Sequence, residues 1–225
     1  SKRNEPDWLK EYRKNSLSIY HDLPAEVSPL YNKYTDARRM NPEQVSLSTS
    51  SDSSVPDFLA KRLDEIKNEI SIVQIGLNIH SINIDDELKS KGLIISSLDD
   101  ALQNNSELIQ KTLEDSNSRE DKYTALNNAA FNSGIFVYVP QNLTIDKPIH
   151  FVSCLSLDGI STISRNIVIA EKNTEVSIVQ ELYAQKMSKQ QAYLELLDTH
   201  VGENSKLDFT TLQIMDQSTV NFSTR

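Results

Sequence analysis

The 225 residues carry 32 acidic against 23 basic side chains, a net charge of −9, which disfavours both a groove built to neutralise phosphates and attraction to an anionic membrane surface. Nucleic acid and membrane are therefore not expected partners. A single cysteine, Cys154, allows no intramolecular disulfide and no cysteine cluster for zinc or iron, and it fits a reducing, cytoplasmic setting.

The first residues, SKRNEPDWLKEYRK, are charged and lack the apolar core of a secretory signal, and the run Ile135 to Val139 is too short to span a bilayer. From Asp7 to about His21, the apolar positions Trp8, Leu9, Tyr12, Leu17, Ile19 and Tyr20 predict a short amphipathic helix, with Asp7 behind Pro6 as a cap or first-turn acid. Leu23-Pro24 ends it. The next stretch is interrupted by Pro29 and Pro42 and reads as an extended arm. The pair Arg38-Arg39 on that arm reads as solvated charge, not a phosphate site.

Val45 to Pro56, rich in serine, predicts a mobile linker. Asp57 opens a second helix whose Phe58, Leu59, Leu63, Ile66 and Ile70 lie near one face. Ile70 to Ile75 and Ile79 to Ile84 then predict a hairpin turning near Gly76-Leu77-Asn78. His80, in that hairpin, has no second ligand at metal-binding spacing and reads as structural. DDELKSKG predicts a short helix closed by Gly92, LIISS a strand, and the following segment two helical pieces with Ser97 and Ser106 as N-caps. After a polar connection, Lys122 to Asn132 predicts a helix whose Ala125, Ala129 and Ala130 allow close packing.

From Gly134 onward the chain is strand after strand: GIFVYVP, LTIDKPIHFV, RNIVIAE, EVSIVQEL, QAYLELLDTHV, KLDFTTLQI and TVNFSTR. Val139-x-x-Asn142-x-x-Ile145, Ala170-x-x-Asn173-x-x-Val176 and Val201-x-x-Asn204-x-x-Leu207 recur at an interval of 31 residues. Two strands with their turns fill one period, and inward apolar residues are expected to alternate with outward polar ones. The pattern predicts stacked coils, with Asn142, Asn173 and Asn204 at one corner in left-handed turns and a side-chain ladder. The fold class expected is mostly β: a right-handed parallel β-helix (β-solenoid) preceded by a small α/β and helical N-terminal region. The divisions expected are 1–55 for the helix, arm and linker, 56–133 for the small α/β region, and 134–225 for the β-helix core. Because the last strand pattern carries no capping element, the expectation is a portion of a longer protein, or a second chain over that end.

The blocks NSGIFVYVPQNLTIDKPI, SRNIVIAEKNTEVSIVQE and LDFTTLQIMDQSTVNFSTR resemble the SufB/SufD family, the β-helical subunits of the SUF iron–sulfur cluster assembly machinery. EPDWLKEYRKNSLSIYHDLP and KGLIISSLDDAL are similar to that family's leader and small preceding region. The resemblance implies a scaffold, not an enzyme, that pairs with a SufB/SufD-type paralogue or with itself and docks on a SufC-type ABC ATPase. The chain has no Gly-x-x-x-x-Gly-Lys-Ser/Thr loop, so ATP hydrolysis would fall to that partner. SufB members commonly carry a cysteine where this chain has Tyr183, which makes the sequence more SufD-like.

No catalytic residue and no metal ligand is assigned, cofactor-binding residues are unknown, and any iron–sulfur cluster is placed at the level of the assembled complex. Cys154, with only His150 as a nearby base in sequence, reads as a buried, inert thiol, and Glu171, Glu175 and Glu181 read as outward strand and corner residues. The alternatives are a β-helix carbohydrate-active enzyme, which would need clustered carboxylates on successive coils, and a structural adaptor.

Overall fold

The computed structural model describes residues 5–24, 46–47, 54–115, 121–156 and 159–224. The elements run, in order, α1 (Asp7–Asp22), β1 (Ser46–Leu47), α2 (Asp57–Glu65), β2 (Ser71–Ile75), β3 (Asn78–Asn83), α3 (Asp86–Ser90), β4 (Ile94–Ser97), α4 (Leu98–Asn104), α5 (Ser106–Asp115), α6 (Lys122–Ala130), β5 (Ile135–Val139), β6 (Ile149–Leu155), β7 (Ile160–Ala170), β8 (Glu175–Ala184), β9 (Gln191–Val201), β10 (Lys206–Met215) and β11 (Thr219–Thr224).

These strands form two mixed sheets, ordered β11-β9-β7-β5-β4, with β1 also on β7, and β10-β8-β6-β2-β3. From β5 on, successive strands alternate between the two sheets, and each lies parallel to the strand two places earlier. The 31-residue interval is the pairing register: Phe136 faces Ile167, Ser161 faces Ala192 and Glu175 faces Lys206. Connections on the side away from the asparagines vary in length. The offset accordingly falls to 29 where Ile149 faces Ile178 and to 28 where Gln191 faces Thr219.

At the other corner Asn142, Asn173 and Asn204 have φ of 63°, 57° and 56°. Asn173 Nδ2 donates to Asn142 Oδ1 at 2.9 Å, and Asn204 Nδ2 to Asn173 Oδ1 at 3.4 Å. The left-handed turns and the ladder are both present, because asparagine tolerates that backbone and its amide can donate to one coil while accepting from the next.

Between the sheets lies an apolar cluster that includes Ile72, Val137, Phe151, Val168, Ala170, Val176, Ile178 and Leu197. In β7 the outward positions are not the polar ones the alternation predicts, since that strand is buried at all but its first residue, whereas β10 and the first half of β8 keep the alternation. The physical reason is a second layer on each side. Residues of α1, α4 and α5, with Phe131 just after α6, pack on the outer face of the first sheet at Phe136, Ile163, Ile167, Ile169 and Leu194. On the second sheet, Leu59 of α2 and Ile66 just beyond it cover Val73, Ile75, Val152 and Cys154. Each such fully buried aliphatic side chain contributes about 1.5–3 kcal/mol.

The hairpin, the Gly92-closed helix and the Ser97 cap, which accepts from Asp100 N at 2.9 Å, appear where the sequence places them. Ser106 is instead the first residue of α5, and its hydroxyl accepts from Trp8 Nε1 at 3.2 Å. The α6 cap is Asp121, whose carboxylate accepts from Tyr123 N and Thr124 N. Phe58 of α2 is exposed rather than buried with Leu59, although its ring lies 6.3 Å from that of Tyr183 on the sheet. Of the serine-rich linker, the described Ser46–Leu47 pairs parallel with Ile160 and Ser161. The arm with Arg38-Arg39 lies outside the described residues.

At Gly134 the backbone lies directly against β7, since a Cβ there would sit 1.9 Å from the Arg165 carbonyl oxygen. No other residue fits that position.

Candidate functional site

The chemistry-bearing residues gather in three places, each set by consecutive polar residues on a strand. In β7, Arg165 and Asn166 point to opposite faces. Arg165, fully buried, meets Asn128 of α6 and Asp198 of β9 under the helical layer. Burial pushes the Asp198 carboxyl above its ordinary range, against the pull of the Arg165 guanidinium. Asn127, on the same helix, donates to the Ser164 carbonyl at 2.8 Å. Helix α6 is therefore fastened by its asparagines as much as by the predicted alanines, of which Ala125 is fully buried.

Asn166 faces the interior, where it donates to Glu195 Oε1 at 2.7 Å and accepts from Ser164 Oγ at 3.0 Å. Gln180 of β8 reaches across from the second sheet to the same Glu195 oxygen and accepts from Thr211 Oγ1 of β10 at 2.9 Å. Tyr193 donates to Glu195 at 3.3 Å, and burial followed by that carboxylate holds its phenol well above the usual value. The result is a polar layer between the main apolar cluster and a smaller one at Leu155, Leu182, Ala184 and Tyr193. Sequence reasoning misses this layer; its signal is Asn, Gln and Glu at positions whose strand neighbours are largely aliphatic.

The third place is the outer face of the second sheet under α2. Arg62 donates through Nε to Glu181 Oε2 at 2.9 Å and through a terminal nitrogen to Oε1 at 2.6 Å. Tyr183 donates to Glu181 Oε2 at 2.7 Å, and His150 Nδ1 lies 3.4 Å from Oε1. The Glu181 side chain is only 2% exposed. Outward it is, as expected, but it is not a solvated strand residue, because α2 covers it. Burial alone would raise the Glu181 carboxyl; Arg62, Tyr183 and His150 together hold it below its ordinary value. Burial and then Glu181 push the Tyr183 phenol up to about 12, so it stays protonated at neutral pH. Cys154 is fully buried directly across from Tyr183, and burial raises its thiol to about 12. In this state the thiol is a poor nucleophile.

Glu175 is an exposed corner residue 3.3 Å from Lys206, and Glu171 lies beside Tyr138, whose phenol is raised first by burial and then by that carboxylate. His80 is exposed on the edge strand β3. An open cleft of about 310 Å³ is lined by Lys111, Glu171, Asp198 and His200 among others. Among the described residues, no three His, Cys, Asp or Glu side chains converge in a way that could hold a metal ion.

Residues 63–151 match the family model of the SufBD protein N-terminal region, and residues 154–225 that of the SUF system FeS cluster assembly, SufBD core domain. The chain is similar to an iron–sulfur cluster assembly SufBD family protein of Staphylococcus aureus strain USA300, at 24% identity over 240 residues that cover 99% of this chain and 50% of the relative. A protein of the same description from Staphylococcus saprophyticus matches with the same identity and coverage. The chain thus spans about half the length of the curated relatives it matches.

Proposed function

The chain belongs to the SufB/SufD family, and from that premise we propose that it is a scaffold subunit in iron–sulfur cluster assembly. In this reading it pairs with a SufB/SufD-type subunit, docks on a SufC-type ATPase and works in the cytoplasm, and the cluster is the product built on the assembled complex. The observation that carries the proposal is the succession of the two family regions along one chain, over strands that wind between two sheets with a constant 31-residue register at the asparagine corner. We read that winding as a right-handed parallel β-helix over 134–225, preceded by the region 56–133, whose β2 and β4 extend the same two sheets, and by the N-terminal portion 1–55.

The SufD-like assignment rests on Tyr183. A phenol that donates to a buried carboxylate and keeps its proton at neutral pH serves as a hydrogen-bond donor, not as a sulfur acceptor. No helix among the described residues is long and apolar enough to cross a membrane.

The test is affinity capture. Tagged protein mixed with a purified SufC-type ATPase and a SufB-type subunit should retain both, and anaerobic incubation of that complex with iron and sulfide should develop the visible absorption of a cluster. Failure to retain the ATPase, with or without ATP, would remove the docking element of the proposal.

A further inference from the structure

Helix α2 is attached to the second sheet through its side chains. Among the described residues, the backbone hydrogen bonds of its ends are local, from Leu59 N to Pro56 O, Ile66 N to Arg62 O and Glu69 N to Ile66 O. Side chains hold it down: the buried Leu59 and Ile66, the half-buried Leu63, Phe58, whose ring lies 6.3 Å from that of Tyr183, and one forked ion pair, Arg62 to Glu181. Beneath it lies the only cysteine of the chain, fully buried among Val73, Ile75 and Val152, all residues that α2 shields. A short helix fastened by side chains belongs to the segments that open before the rest of a fold does.

We propose that α2 is a separable cover over Cys154, latched by the Arg62–Glu181 pair, and that opening this latch, rather than unfolding of the sheets, makes the thiol reactive. The latch has a clear geometry. Glu181 is held from three elements at once: by Arg62 from α2, by His150 from β6 and by Tyr183 from its own strand. Two of these contacts stay with the sheet when α2 lifts, so the carboxylate keeps partners in the open form; what leaves with α2 is the Arg62 fork and the 3.5 Å contact of the same guanidinium with His150 Nδ1. Glu65 holds the same guanidinium from the α2 side at 3.2 Å, so Arg62 leaves with its helix still paired. Both halves of the latch thus remain solvated or hydrogen-bonded after opening, and this keeps the open state accessible from a folded protein. The neighbouring strand offers nothing to replace the fork, since Leu212 of β10 is the residue across from Glu181.

The single cysteine makes the test direct, and it does not depend on the family reading. Native protein is exposed to the aromatic disulfide DTNB; the Cys154 thiolate attacks its S–S bond, forms a mixed disulfide and releases the coloured nitrothiobenzoate thiolate. Labelling rates are measured across urea concentrations below the unfolding transition for the wild type, R62M, E181Q and the control L113A, which destabilises the helical layer on the opposite sheet. The proposal expects a wild-type rate with a shallow urea dependence, and an acceleration of about tenfold in R62M and E181Q that L113A does not share. If one latch variant folds poorly, the other carries the comparison. A rate whose urea slope equals that of global unfolding in every variant, or an equal acceleration by L113A, overturns the latch.

Discussion

The asparagine corner gives a sharp quantitative test of the coil architecture, because two energetic terms can be separated at Asn173. This residue has φ of 57° and sits mid-ladder, donating to Asn142 and accepting from Asn204. Asn173→Ala removes both side-chain hydrogen bonds and forces a Cβ residue without a local polar group into the left-handed region. The backbone term costs about 1–2 kcal/mol. The exposed amide bonds contribute about 0.5 kcal/mol each, at the low end for net hydrogen-bond contributions. The alanine variant should therefore lose about 2–3 kcal/mol. Asn173→Gly removes the same bonds but relieves the backbone, so it should lose about 1 kcal/mol or less. The assay is urea unfolding followed by far-ultraviolet circular dichroism, with the midpoint shift converted at constant slope. Equal losses for alanine and glycine would refute the left-handed turn as the source of cost. No loss in either would refute the stacked corner itself.

Two further outcomes concern the buried charges. Arg165→Met leaves Asp198, already raised by burial, without its cation, and should cost about 3–5 kcal/mol in urea unfolding; adding Asp198→Asn should restore part of that loss. Glu181 has a folded pKa below its unfolded value, so its contribution is complete above the ordinary carboxylate range and is lost as pH falls through the folded value. A stability profile from about pH 6 to about pH 3 should therefore fall less steeply in E181Q than in the wild type, and identical slopes would remove the Arg62–Glu181 pair from the acid limb.

How much of the fold is legible in the sequence depends on whether the signal is local. The hairpin at Gly76, the cap at Ser97, the strand from Gln191 to Val201 and the 31-residue asparagine interval all depend on residues near one another or on exact repetition, and the structure has each of them. Glu181 reads in the sequence only as an outward residue, because the helix that covers it, carrying Arg62 119 positions away, bears no sequence mark of its target. The two-sided burial of β7 is hidden for the same reason: alternation predicts a solvent face only if nothing packs there, and the covering helices lie far upstream. Cys154 is legible as a buried thiol because its flanks are apolar, but the element that buries it cannot be read from those flanks.

That two-sided burial raises a question of register. A strand with one wet face is fixed by its apolar alternation, since a slip of one residue would turn the core outward. Strand β7 has no wet face, and Ile, Val and Leu would satisfy either side of it. The faces are distinguished by the adjacent polar pairs, one in each sheet. In β7, Arg165 turns out to Asp198 and Asn166 turns in to Glu195. In β8, Gln180 turns in to that same Glu195, and Glu181 turns out to Arg62. A one-residue slip of β8 that carries Glu181 into the place of Gln180 would bring its carboxylate inward beside Glu195 and leave the Arg62 cation facing the aliphatic Leu182. A like-charge pair inside the stack and a broken forked pair outside it are both costly, whereas the aliphatic residues would lose little. The polar residues that sequence reasoning leaves as surface or unassigned are thus the ones that set which way each strand faces, and they hold the asparagine corner in step from coil to coil.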